Sequence, residues 1–183
     1  DIEPIMLNNQ VLVLKIKVFQ QDTANEVKRL IDEYQSSRLK AVLIDLRNNP
    51  GGNLDVVCNM LKLLLPEGTI VSTKEKNGKT DEITCDGTNE FKKPLAVLVN
   101  QYSASASEIF AGAVKDYKYG TLIGTKTFGK GIVQVLIPLT DGSAVKVTMA
   151  KYFTPNGNYI HKKGIEPDIN LEYSYTGDKD QPY

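Results

Sequence analysis

The chain has 183 residues, 22 basic against 22 acidic side chains and a hydrophobic share of 41%. That length suits one domain able to bury roughly 70% of its unfolded surface. The charge balance gives no reason to expect nucleic acid or an acidic membrane as partner. No run of 18 apolar residues is present, and Asp1-Ile-Glu-Pro-Ile5 lacks the pattern of a signal peptide. With no initial methionine, the start reads as that of a mature or excised fragment.

In chain order, Val11 to Phe19 is rich in branched residues and predicts a strand. Thr23-Ala-Asn-Glu26 has the form of a capping box for a helix running to about Ser36, with Val27, Leu30, Ile31 and Tyr34 on its apolar stripe. Ala41 to Leu46 predicts a central strand. Asn48-Asn-Pro-Gly-Gly52 follows as a sharp connection, and Leu54 to Leu65 reads as a helix stopped by Pro66-Glu-Gly68. Ile70 to Glu75 and Lys79 to Thr84 flank Asn77-Gly78, a strong hairpin signal. Pro94 to Asn100 predicts a strand leading into three serines and an apolar helix carrying Ile109, Phe110, Ala113 and Val114. Thr121 to Gly124, Ile132 to Leu139 and Ala144 to Tyr152 complete the strands, the last two around Asp141-Gly142. The alternation predicts an α/β fold, with helices packed on a mixed β-sheet that is continuous with one or more β-hairpins. No internal repeat or low-complexity segment is present.

The segments Gln101 to Phe110 and Thr127 to Gln134 carry the chemistry. Ser105-Ala-Ser-Glu108 fits a capping box, which is a structural role. It also places a serine at a strand-to-helix junction, where unpaired amides at the helix start can receive an oxyanion. Lys130 between Gly129 and Gly131 is either a solvated turn residue or a base for that serine. As a base near neutral pH it would need a downward pKa shift of roughly 3 units, which burial can supply. The single histidine, His161, lies in a polar loop expected to be exposed, a poor basis for a Ser-His-Asp triad. One histidine and two cysteines are too few for the common zinc sites, so no metal or other cofactor is expected. Cys58 reads as a small core residue and Cys85 as a spectator near a turn. Their number says little about compartment.

Four motifs stand in register: Asp45-Leu-Arg-Asn-Asn-Pro-Gly-Gly52, Ser103-Ala-Ser-Ala-Ser-Glu-Ile109, Gly124-Thr-Lys-Thr-Phe-Gly-Lys-Gly-Ile-Val-Gln134 and Gly164-Ile-Glu-Pro-Asp168. On these the chain resembles the catalytic core of the C-terminal processing peptidases, or tail-specific proteases, from about Val11 to Leu171. The resemblance implies a ClpP/crotonase-like core and a serine endopeptidase acting through an acyl-enzyme. It places the nucleophile on Ser105, the general base on Lys130 and the supporting glutamine on Gln134. On an extended segment free of a bulge, Gln134 would face the same side as Lys130. The oxyanion donors fall on the N–H of Ala106 and on that of Gly51 or Gly52.

The resemblance further implies unstructured protein or peptide substrates, cut in their C-terminal regions, and an upstream PDZ domain in the parent chain. It leaves room for a homo-oligomer and points to an extracytoplasmic compartment: periplasm, cell envelope or plastid lumen. Residues 1–10 then read as a linker remnant, 11–173 as the catalytic core and 174–183 as a polar tail. Phe128 and Tyr152 suggest apolar residues near the cleavage site. Two rivals remain: an inactive protease-like binding or docking module of the same fold, and, by topology alone, an acyl-CoA hydratase or hydrolase.

Overall fold

A computed structural model describes residues 2–35, 38–88 and 91–172. The tail expected at 174–183 and the expected helix end at Ser36 lie outside them. The strands are β1 (Ile2–Leu7), β2 (Val11–Ile16), β3 (Ala41–Asp45), β4 (Gly68–Glu75), β5 (Thr80–Cys85), β6 (Leu95–Val99), β7 (Thr121–Gly124), β8 (Ile132–Pro138), β9 (Ala144–Phe153) and β10 (Ile169–Asn170). The helices are α1 (Thr23–Tyr34), α2 (Leu54–Lys62) and α3 (Ala106–Asp116).

Six strands form one sheet in the order β1-β2-β3-β6-β7-β10. Only β1 runs antiparallel to its neighbour, so the sheet is mixed as expected. Each parallel strand lies beside its predecessor in that sheet, and α1, α2 and α3 pack one against the next. Because strand side chains alternate between faces, the register aligns Leu14, Ile44, Val97 and Leu122 in one fully buried row across four strands. Such burial is the main stabilising term of the domain.

Three expectations are corrected. The two hairpins predicted at Asn77-Gly78 and Asp141-Gly142 are not continuous with the large sheet, whose own hairpin is β1-β2; they join each other through β4 and β9 in a second, antiparallel sheet ordered β5-β4-β9-β8. Residues 2–7, read as the end of a linker, form β1 on the sheet edge, where Pro4 is tolerated because an edge strand can spare an N–H. The Thr23 capping box does not form. Asp22 precedes the first helical residue, and Thr23 Oγ1 instead accepts the Gln20 N–H at 2.9 Å.

Helix α3 is the element that positions the site. Every residue from Ala106 to Val114 is buried, as expected of a helix apolar on most sides. It touches α2, β7 and also β4 of the second sheet. At Gly112 an added Cβ would lie 2.8 Å from Thr154 Cγ2, so the glycine lets the segment just after β9 pack closely on α3.

Candidate active site

The loops after β3, β6 and β7 meet at the carboxyl ends of these parallel strands, where open α/β sheets commonly hold ligands. The first is Leu46–Asn53, the second Asn100–Ser105 and the third Thr125–Gly131.

The three serines at the junction of the second loop and α3 have different tasks. Ser103 and Ser107 are fully buried; Ser103 Oγ donates to Leu46 O at 2.7 Å and Ser107 Oγ to Asn49 O at 3.0 Å. These two hydroxyls tie the second loop to the first. Ser105, between them, has φ 57° and ψ −115°, outside the left-handed helical region and costly for a residue with a side chain. A strained serine on a strand-to-helix turn is the arrangement that presents a hydroxyl outward.

Glu108 binds the loops together. Its side chain is fully buried. Oε2 accepts the N–H of Ser105 at 3.0 Å and that of Lys130 at 2.7 Å, while Oε1 accepts from Gly129 N–H at 2.7 Å and Thr127 Oγ1 at 2.6 Å. The Ser105-x-x-Glu108 pattern revealed the first of these bonds. Nothing in it signalled the other three, which hold the lysine loop against the serine loop.

The loop carrying Lys130 is clasped from its far side by the Gly164-Ile-Glu-Pro-Asp168 motif. Thr127 N–H bonds Ile165 O at 3.1 Å, Ile165 N–H bonds Thr127 Oγ1 at 2.8 Å, and Lys162 N–H bonds Gly129 O at 2.8 Å. Asp168 Oδ2 accepts the Leu122 N–H at 2.9 Å, anchoring the motif on β7. Gly131 passes so close to His161 that an added Cβ would sit 2.6 Å from its backbone nitrogen. His161 is therefore half-buried rather than exposed, its ring tilted against that of Tyr159 with centroids 6.0 Å apart. Its Nδ1 is buried and has no hydrogen-bond partner among the described residues. Among the described residues no carboxylate orients that nitrogen as the aspartate of a Ser-His-Asp triad would.

The first loop is rigid. Asn49 is fully buried: Nδ2 donates to Ile16 O at 2.8 Å, Oδ1 accepts the Gly51 N–H at 2.8 Å, and its carbonyl accepts the Ala104 N–H at 3.0 Å. Gly51, at φ 108°, lies against Ser105. A Cβ there would meet Ala104 O at 2.7 Å, and both Ala106 N and Ser105 Cβ at 2.9 Å. Gly52 bridges Phe19 through the groups of its neighbours, Gly51 O and Asn53 N–H, which turns its own N–H to the other side of the segment. Gly51→Ala is accordingly expected to cost about 2–3 kcal/mol, from strain plus overlap. Gly78→Ala, at φ 90° but with open space around it, is expected to cost about 1 kcal/mol. Urea midpoints of the two variants check the difference.

Backbones converge here more closely than side chains. Ser105 and Lys130 are both half-buried, and their N–H groups share one carboxylate oxygen, but no hydrogen bond joins the Ser105 hydroxyl to the Lys130 amine. Lys130 Nζ makes no ion pair or hydrogen bond among the described residues. Gln134 lies on β8, where the register shifts between Val133 and Gln134, and its Nε2 donates to Thr148 Oγ1 at 3.3 Å rather than to the lysine. Tyr152, expected near the cleavage site, is buried in the core. Cys58 and Cys85 are both free and buried, and burial pushes the Cys58 thiol up to about 12. Among the described residues no group of three His, Cys, Asp or Glu gathers as a metal site, and no helix is long and apolar enough to cross a membrane.

Comparison with known proteins settles the lineage. The profile of peptidase family S41 matches residues 10–171. The chain belongs to peptidase family S41. A probable CtpA-like serine protease of Staphylococcus aureus is 43% identical over 166 residues, which cover 89% of this chain and 34% of that protein. The carboxyl-terminal-processing protease of Synechocystis sp. is 44% identical over 159 residues, 87% of this chain and 37% of that protein. A solved structure, a photosystem II D1 C-terminal processing protease, superposes with a TM-score of 0.82 at 37% identity, covering 88% of this chain and 42% of its own. This S41 domain thus has the mixed α/β fold of its family, and it spans about a third of the length of the curated relatives it matches.

Proposed function

We propose that this S41 domain is the core of a serine endopeptidase that cuts unstructured protein C-terminal regions through a Ser105/Lys130 dyad. The observation that carries the reading is the shared carboxylate: one buried Glu108 oxygen accepts the N–H of both the strained serine and the lysine. Neutral Lys130 takes the proton of the Ser105 hydroxyl as it attacks a peptide carbonyl. It then returns the proton to the leaving amine, and water hydrolyses the acyl-enzyme. The oxyanion is received by Ala106 N–H at the start of α3 and by the Gly51–Gly52 turn. Gly52 is the better second donor, because the Gly51 N–H already serves Asn49 Oδ1. Each such donor is worth about 3–4 kcal/mol in the transition state.

Formation of the dyad requires the Lys130 amine to swing onto the Ser105 hydroxyl, a tightening that apo active sites often await. Gln134 would support the amine after leaving Thr148. In the parent protein a PDZ domain delivers the substrate tail, and the compartment is extracytoplasmic. Relatives named as carboxyl-terminal-processing proteases support the substrate class. A second reading, an inactive docking module, draws on the absence of a Ser105–Lys130 hydrogen bond.

A fluorophosphonate probe and β-casein separate the two. The peptidase reading expects covalent labelling that maps to Ser105, together with casein cleavage lost in Ser105→Ala. Absence of both from the chain, and still from a version extended by its upstream domain, would leave the docking module.

A further inference from the structure

Two aromatic side chains stand in solvent at the edge of this site. Tyr102 is 59% exposed and Phe128 62% exposed, and they are the exposed aromatic residues among the described ones. The backbone at both residues is held by hydrogen bonds. Tyr102 N–H is held by Asn100 Oδ1 at 3.1 Å within a turn closed by Ser103 N–H on Asn100 O at 2.9 Å. Phe128 N–H is held by Ser103 O at 3.0 Å, and the residues on either side of it are fixed by Glu108 Oε1. The two rings thus project from adjoining, hydrogen-bonded segments. One lies three residues before Ser105 and the other two before Lys130.

Leaving such rings in water forgoes the free energy of burying their apolar surface. Aromatic groups on a held backbone beside a reactive centre are suited to binding, since with two side-chain torsions each they lose little freedom when a partner covers them. Place argues for the occupant: both rings stand on segments that the Phe128 N–H to Ser103 O bond joins beside Ser105, where a substrate chain would lie.

Building on the peptidase reading, we propose that Tyr102 and Phe128 form an apolar subsite that receives an aliphatic or aromatic side chain flanking the scissile bond. They set the cleavage preference without touching the reacting atoms.

The test uses fluorescently labelled alanine-rich octapeptides that differ only in one central residue, Leu, Phe or Ser, bound to the Ser105→Ala chain and followed by anisotropy. The Leu and Phe peptides are expected to bind about tenfold tighter than the Ser peptide, the scale of an apolar pocket's discrimination. Phe128→Ala in that background brings the ratio below about threefold, whereas Phe128→Leu keeps it. An unchanged ratio in Phe128→Ala, equal binding of all three peptides or binding of none overturns the subsite. Cleavage of the same peptides by the unaltered chain tests the peptidase reading separately. Selective binding without cleavage, by the chain and by the version extended by its upstream domain, sinks that reading alone; cleavage with no apolar preference sinks the subsite alone.

Discussion

Lys130→Ala and Lys130→Arg are both expected to lower kcat/KM on casein-derived peptides by about 10³-fold or more, with the fold retained. Arginine keeps a positive charge at the site but cannot give up its proton, so it separates the base from a cation that merely orients substrate. Ser105→Ala should cause a loss of the same size. The double variant should be no worse than either single one, because nucleophile and base act as a unit. The sign of the pH dependence follows from the chemistry. Only the neutral amine accepts a proton, so activity is present on the alkaline side and falls tenfold for each pH unit below it. His161→Gln must leave that limb where it is, whereas a histidine base would place the limb near pH 6.5. Appreciable activity in Lys130→Arg, or a flat profile from pH 6 to 10, would remove Lys130 from the role of base. A limb that moves with His161→Gln would transfer the role to the histidine.

Much of the scaffold was legible because its signals are local. Branched, apolar segments gave β2, β3 and β6 to within a few residues, and Asn77-Gly78 and Asp141-Gly142 marked both hairpins of the second sheet. Pairing between distant segments was not legible. That β4 joins β9 rather than the large sheet is a pairing between segments as far apart in the chain as Ser72 and Phe153, which no local pattern encodes. β10, two residues long, has too little sequence to carry a period. β1 did leave a trace: Asn8 and Asn9 both adopt positive φ, as the two central residues of a tight hairpin turn do. Asparagine pairs are suited to that turn, but Pro4 hid the strand.

At the site, residue types were readable and their partners were not. Ser103, Ser105 and Ser107 look alike in sequence, yet two of them spend their hydroxyls on carbonyls of the first loop and only the middle one sits in the strained turn. The alignment of Gln134 with Lys130 assumed an unbroken strand, and the register shift beside Val133 removes that assumption. The expectation for His161 assumed that a polar loop is a solvated one. Gly131, with no side chain to hold the loops apart, lets residues 160–164 press onto the lysine loop instead.

Glu108→Ala is expected to be the most damaging substitution that leaves the proposed dyad chemically intact. Removing the carboxylate strips an acceptor from three backbone N–H groups and one hydroxyl in a place closed to solvent. A buried donor left unpaired costs about 1–3 kcal/mol. Water entering the vacated space recovers part of this, so a net loss of about 3–5 kcal/mol is expected against a total stability of about 5–15 kcal/mol. Glu108→Gln keeps the shape but has only one oxygen. Its amide nitrogen must face either the Ser105 and Lys130 N–H groups or the pair from Gly129 and Thr127. The hydroxyl of Thr127 can turn to accept, whereas the N–H of Ser105, Lys130 and Gly129 cannot. The amide therefore settles with its oxygen toward Ser105 and Lys130; Thr127 Oγ1, which already accepts the Ile165 N–H, accepts an amide N–H as well, and the Gly129 N–H and the Thr127 hydroxyl proton both lose the carboxylate. The expected cost is about 1–3 kcal/mol, with kcat reduced and KM raised together, since the bonds lost are those that steady the lysine loop on both sides of Phe128. Urea unfolding reads the stability order wild type, Gln, Ala, and steady-state kinetics on the folded Gln variant read kcat and KM. Equal stability of all three proteins would mean that the carboxylate does not bind the loops together. Unaltered kcat in Glu108→Gln would mean that the loops, though bound by it, do not depend on it to align Ser105 with Lys130.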